Sequence, residues 1–596
     1  MSSERSASGA LPGSLGPDGP VTIPRIDPRR EFPRRFVPKE VDAGRWEEIE
    51  PLGEALLRRP PESLEGLMRC LEDSSELAGW VAEEGSRRYI AMTSRTDDAE
   101  RERAYLSFVR EIGPRWKSLA HRLDRAYLEN PHRRALPPRY RVFDRRIENR
   151  VTLYRDENLP LQVTETELGQ QYQKLRGAMT VVFRGQEYTL EQLGPFLEDP
   201  DRSTREEAWG LGAERLLRDR DEMEGLFDRL REVRLRIARN AGFASYRDYA
   251  WRARERFDYT PEDCRRFHEA VEACFVPILV GVAEERRRLL GLGAVRPWDV
   301  GADPLGRPPL PTFERADALL DRCEATFRRV HPDFAVLFRF MRDQGLLDVE
   351  RRKGKAPGGY QQTLHERRWP FIFLNVPPSQ DVSTVLHEGG HAFHALAARE
   401  QPLLAYRSAP LEFAEVASMG MELLASPHLG AIYPSADDTR RAQRTFLDGV
   451  LFPKGMPWIA TIDAFQHWLY THPAHTPAQR REAWLGTYRR FNPAVDWSGH
   501  DDALAYAWHR QLHVFLLPFY YIEYGVAQLG ALQIWRRATS DYGEAVARYR
   551  SALALGGSRP LPELFGAAGA QLAFEKDTMA PLAAALVESL AQLPYR

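Results

Sequence analysis

Four cysteines in 596 residues are too few for a disulfide scaffold, and Cys70, Cys264, Cys274 and Cys323 repeat no paired spacing of the zinc-ribbon or redox kind. That scatter fits a reducing compartment. No run approaches the ~18 consecutive apolar residues of a membrane helix, and the N-terminus has no basic start followed by an apolar core, so a cytoplasmic protein with no membrane partner is expected. An excess of charge is also missing. Against 83 Lys and Arg stand 85 Asp and Glu, a formal net charge of -2, which gives no broad field to draw in nucleic acid. Solenoid-length repeats are absent. What is there is 43% hydrophobic and 28% charged residues in a chain of 68.3 kDa, the composition of a globular protein with room for more than one lobe.

Residues 1–37 are rich in Ser, Gly, Pro and Arg with little apolar periodicity, and a disordered tail is expected there. From 38 to 200 the spacing predicts an N-terminal helical lobe, with Leu and aromatic residues recurring at helical intervals in 51–59 and 100–110, although 144–166 is less regular. Residues 179–188 place β-branched and aromatic side chains on either side of Gly185 and read as a small hairpin; Thr189 then opens a short helix. Beyond it, 201–596 reads as a larger helical domain. Ser203 with Glu206 looks like the capping box of one long helix to about Ala238, and Pro261 like the early proline of another from Thr260 to Leu290. The Pro and Gly density of 291–311 marks a loop. Trp369 to Val376, following a glycine-rich turn at 354–359, reads as a strand on a sheet edge that leads into a helix.

That helix carries His387-Glu388-Gly389-Gly390-His391. Histidines at i and i+4 lie one above the other, so both imidazoles can reach one metal ion. Glu388 projects off that line, which places it as a general base on water rather than as a ligand. Apolar Ala392, Phe393, Ala395 and Leu396 surround the motif, and uncompensated polar groups there would be costly to bury. A catalytic zinc takes three protein ligands. The candidates for the third are His394, Glu412, Glu415 and Glu422. One helix cannot easily bend three successive side chains onto one ion, so His394 is expected beside the site. Glu415, between Phe413-Ala414 and Val416-Ala417, is favoured, leaving Glu412 and Glu422 on the same stripe to orient a ligand.

The stretch His387 to His394, followed by Glu412-Phe-Ala-Glu415-Val-Ala-Ser-Met, resembles the oligoendopeptidase F branch of the thimet-type zinc oligopeptidases. The Gly354 to Tyr360 turn and the Pro370 to Asn375 strand are similar to the segment before the metal helix in that family. The resemblance implies a mainly α, two-lobed fold with a deep substrate channel and a small β-sheet near the active site. It implies one zinc ion on His387, His391 and Glu415. The segment His513 to Gly525 looks like the family's His/Tyr segment, which implies that Tyr524, with Tyr520 and His513 in support, stabilises the oxyanion of a tetrahedral intermediate. Tyr360 and Tyr521, with the strand from Phe371 to Asn375 as an edge that pairs with extended peptide, are the expected substrate contacts. Short unstructured peptides are the expected substrates. Two other readings share the motif: a non-peptidase zinc hydrolase, and a peptide-binding homologue without turnover.

Overall fold

A computed structural model describes residues 26–313, 315–352, 354–356, 358–452 and 455–595. The described chain is mainly α, as the resemblance implies. Of the expected tail, 1–25 lies outside the described residues, but 26–37 is packed. Val37 is buried, Arg34 pairs with Glu366, and the Arg399 guanidinium donates to the carbonyls of Asp27 and Arg30, both at 2.8 Å. Composition misses such a strap because its anchors sit elsewhere in the chain.

The N-terminal helices, among them α1 (Leu64–Ser94), have a small core of their own around Leu77, Trp80 and Leu119, and share a second, around Leu67, Tyr127 and Ile147, with Leu403 and Tyr406. The largest core runs from Leu168 to Leu590, so it begins before the expected boundary at 200. The irregular-looking 144–166 falls in two helices, Arg141–Leu153 and Asn158–Gly177. The hairpin forms as expected: β1 (Thr180–Phe183) pairs antiparallel with β2 (Gln186–Thr189) through Arg184 and Gly185, both at positive φ. Thr189 and Gln192 then cap the following turn reciprocally.

Both long helices expected from capping signals are broken. The first starts behind Asp201, whose side chain accepts from the amides of Ser203 and Thr204, and it stops at Arg218 before a second helix, Arg220–Asn240. In the other, Thr260 and Asp263 form the capping box of α2 (Pro261–Cys274), and a separate helix resumes at Val276–Leu289 with Pro277 in its first turn. A proline lacks the amide that would continue the earlier ladder.

Three strands then form a second sheet in the order β3-β5-β4: β3 (Leu347–Asp348), β4 (Gly358–Leu364) and β5 (Trp369–Asn375). The expectation that β5 is the edge is corrected, because it is the central strand, bonded to β3 on one side and β4 on the other. The edge nearest the motif is β4. β5 delivers the chain through a short turn into α3 (Asp381–Ala398), which packs on α4 (Leu411–Ala425); α5 (Met456–Thr471) and α6 (Ile522–Ser540) complete the surroundings. Among the described residues no helix is long and apolar enough to cross a membrane.

Candidate metal centre

Gly389 and Gly390 let α3 lie against its neighbours. A Cβ on Gly390 would strike the Ala417 carbonyl and come within 2.7 Å of Ser418 Cα on α4, and one on Gly389 would strike the Phe327 ring. Two adjacent glycines cost a helix roughly 1 kcal/mol each, which close backbone contact offsets. The contact brings Glu415 across from the two histidines. Its Oε2 lies 3.4 Å from His387 Nε2 and 3.5 Å from His391 Nε2, and the three donor atoms fall within 4.8 Å of one another. This is the one of the open third-ligand choices that geometry brings to the pair.

Glu422 and Glu412 part company despite sharing a helix. Glu422 Oε1 lies 2.6 Å from His387 Nδ1, which accounts for that nitrogen and leaves Nε2 as the one that faces Glu415. Glu412 is not in the donor cluster of His387, His391 and Glu415. It accepts from the Tyr259 hydroxyl at 2.7 Å and lies 3.6 Å from Arg256, which in turn bonds Glu523 at 2.8 Å. His394 is buried with Nε2 unpartnered, and burial drives its pKa down to about 3, so it is a neutral packing residue.

The electrostatics at the three donors call for positive charge. Burial lowers the pKa of His387, yet Glu415 and Glu422 outweigh it and hold the imidazole well above its usual range. Burial raises Glu415, and His391 and His387 outweigh that in turn, so it sits well below the carboxylate range. Glu388 is buried, its Oε2 has no hydrogen-bond partner, and burial raises its pKa against the pull of His387 and His391. Two imidazoles and a carboxylate with an unengaged buried carboxylate nearby are a donor set that fits a divalent metal ion.

A tyrosine pair stands against Glu415. Tyr520 donates to Glu415 Oε1 at 3.2 Å, and Tyr524 packs on it with ring centroids 5.4 Å apart. Burial raises both phenols far above their ordinary pKa, with Glu415 adding to it, so both stay protonated donors. His513 stands 5.8 Å from the Tyr524 ring, and the Gln511 amide donates to its Nδ1 at 2.7 Å, which leaves Nε2 as the protonated nitrogen.

The four expected substrate contacts are each engaged within the fold. Tyr521 is buried and backs His513 at 4.9 Å. Tyr360 stacks on Phe373 and shares a 2.6 Å hydrogen bond with Thr93 on α1. Asn375 Nδ2 donates to the Lys355 and Ala356 carbonyls and so shapes the glycine-rich turn, and Phe371 lies on the central strand. Sequence reasoning missed Gly359 on β4, where a Cβ would lie 3.6 Å from Glu388 Oε1 and clash with Thr384. It also missed Ser418, which donates to Glu415 Oε2 at 3.0 Å; its only signal was the three-residue step from Glu415. A cavity of about 630 Å³ opens beside Glu422 and is lined by Met419, Ser383, Gln380, Arg307 and Arg441 among others.

The profile of peptidase family M3 matches residues 196–308 and 325–583. Over 295 residues the chain is 25% identical to group B oligopeptidase PepB of Streptococcus agalactiae serotype III (strain NEM316), covering 48% of this chain and 46% of that one. Over 167 residues it is 26% identical to an oligoendopeptidase F homolog of Lactococcus lactis subsp. lactis (strain IL1403), covering 28% and 27%. The chain thus spans less than half the length of these curated relatives. In structure it matches PZ peptidase A solved with an inhibitor, at a TM-score of 0.87 and 27% identity over 94% of this chain and 100% of that one.

Proposed function

The chain belongs to peptidase family M3, and from that membership we propose that it is a zinc-dependent oligopeptidase that hydrolyses internal bonds of short, unstructured peptides. The observation that carries the reading is the meeting of His387, His391 and Glu415 beside a buried Glu388 whose Oε2 has no partner. His387, His391 and Glu415 would hold the ion, which when bound supplies a Lewis acid for the scissile carbonyl and acidifies water.

The remaining work belongs to side chains of this protein. Glu388 takes the proton of the attacking water and passes it to the leaving amine. Glu422 fixes the His387 tautomer, and Ser418 and Tyr520 orient Glu415. Tyr524 and Tyr520, with His513 Nε2 behind them, donate to the oxyanion. Extended peptide pairs with the outer edge of β4 near Gly358 to Tyr360, so recognition rests largely on backbone. A two-lobe division, with the larger lobe's core beginning at Leu168, and cytoplasmic residence, consistent with four free cysteines, belong to the same proposal.

A panel of internally quenched peptides incubated with zinc-loaded protein tests it. Cleavage at internal bonds, abolished by chelation, is expected, and Glu388→Gln lowers kcat by about 10²–10⁴ with zinc content unchanged. Stoichiometric zinc with every peptide intact would overturn the reading.

A further inference from the structure

A second convergence of metal-type donors lies where α2 meets α5. Cys264 and His268 stand four apart on α2, and Asp463 and His467 four apart on α5, so each pair shares one helix face. The ligand atoms of Cys264, Asp463 and His467 lie within 4.8 Å of one another. Cys264 and Asp463 are both 0% exposed.

The hydrogen bonding there is incomplete in a specific way. His268 Nε2 lies 2.8 Å from Asp463 Oδ2 and donates to that oxygen. Asp463 Oδ1 and His467 Nε2 are buried with no hydrogen-bond partner. The ion-pair partners of this carboxylate are two histidines, 2.8 and 3.4 Å away. Phe519 and Trp251 wall off His467, with ring centroids 5.3 and 5.6 Å away. A buried carboxylate oxygen without a partner is costly, and a cation at that point satisfies it.

We propose that Cys264, Asp463 and His467 form a second, structural site for a divalent ion of the zinc class, with His268 holding the Asp463 carboxylate in place. The donor set decides the class: sulfur and imidazole nitrogen favour zinc or cobalt over magnesium or calcium, which take oxygen. The ion would tie α2 to α5 and, through α5, steady the turn that presents the tyrosines. Gln466, next to His467, accepts the Phe519 amide, and Phe519 itself turns at a φ of +61° immediately before Tyr520. The site stands whether or not the peptidase reading holds.

Cobalt separates the two centres, because His387, His391 and Glu415 carry no sulfur. Full-length protein stripped of metal and titrated with Co²⁺ is expected to bind about two ions per chain, one of them with a thiolate-to-cobalt charge-transfer band in the near ultraviolet. In Cys264→Ser the band disappears and stoichiometry falls to about one, the remaining ion showing that the variant is folded. Wild-type protein loaded with zinc needs no variant: X-ray absorption at the zinc edge is expected to find sulfur in the averaged coordination shell. A shell of nitrogen and oxygen alone, about one ion per chain at saturating cobalt, or a band that survives Cys264→Ser overturns the proposal.

Discussion

Glu415 is gripped by more than the histidines. Ser418 holds Oε2 at 3.0 Å and Tyr520 holds Oε1 at 3.2 Å, whereas Tyr524 makes no hydrogen bond to that carboxylate. On the proposed function the two tyrosines therefore divide their duties. Tyr524→Phe should lower kcat by about 10²–10³ while zinc affinity is kept, the cost of one oxyanion donor. Tyr520→Phe should lower kcat and also weaken zinc about 10–100-fold, the range for loss of a group that orients a ligand. Activity measured alongside competition with a zinc chelator distinguishes them, and equal zinc affinity in the two variants would refute the division. At this scale the sequence was legible where chemistry is local. The i, i+4 histidines and the apolar flanks of Glu415 pointed to the centre. Glu412 and Glu422 could not be separated, because their roles depend on Arg256 and Tyr259 in one case and His387 in the other, partners set by folding.

At the scale of elements, the centre depends on how closely α3 and α4 approach. Gly390 meets the backbone of Ala417 and Ser418, which cannot rotate away as a side chain can. Gly390→Ala would improve helix propensity by roughly 1 kcal/mol. The contact reverses the sign: forcing the helices apart should cost about 1–3 kcal/mol, the range for overpacking, and pull Glu415 from the histidines. Thermal unfolding and bound zinc are expected to fall together, and a Gly390→Ala protein with full zinc and unchanged Tm would refute this. Helix existence was readable from periodicity, but helix ends were not. Ser203 mimics a cap that Asp201 provides, and the apolar period runs on through Asp219 and Phe275, where the chain turns. The hairpin was readable because Gly185 supplies a backbone conformation that few residues adopt, whereas strand order was not, since β3 joins β5 from over twenty residues away.

Across the whole molecule, the β4–β5 turn is one of the places where the N-terminal helices are fastened to the rest of the chain. Glu83 on α1 accepts the amides of Glu366 and Arg367, Gly79 faces the His365 carbonyl, and Arg34 pairs with Glu366. His365 lies in that seam with Nδ1 buried and unpartnered, and burial, helped by the charge of Arg407, lowers its pKa to about 4. Folding thus keeps this imidazole neutral at a pH where the unfolded chain would bind a proton. Above the ordinary imidazole pKa near 6.5 neither state is protonated and its contribution is intact; as pH falls toward about 4 the unfolded state takes up the proton first, and up to about 3 kcal/mol is lost. The full-length protein should therefore lose Tm steeply over that window. His365→Gln, which cannot take up the proton, should flatten the slope of Tm against pH there even if its Tm at neutral pH is lower. Superimposable slopes for the two proteins would show that the seam does not sense acid through His365.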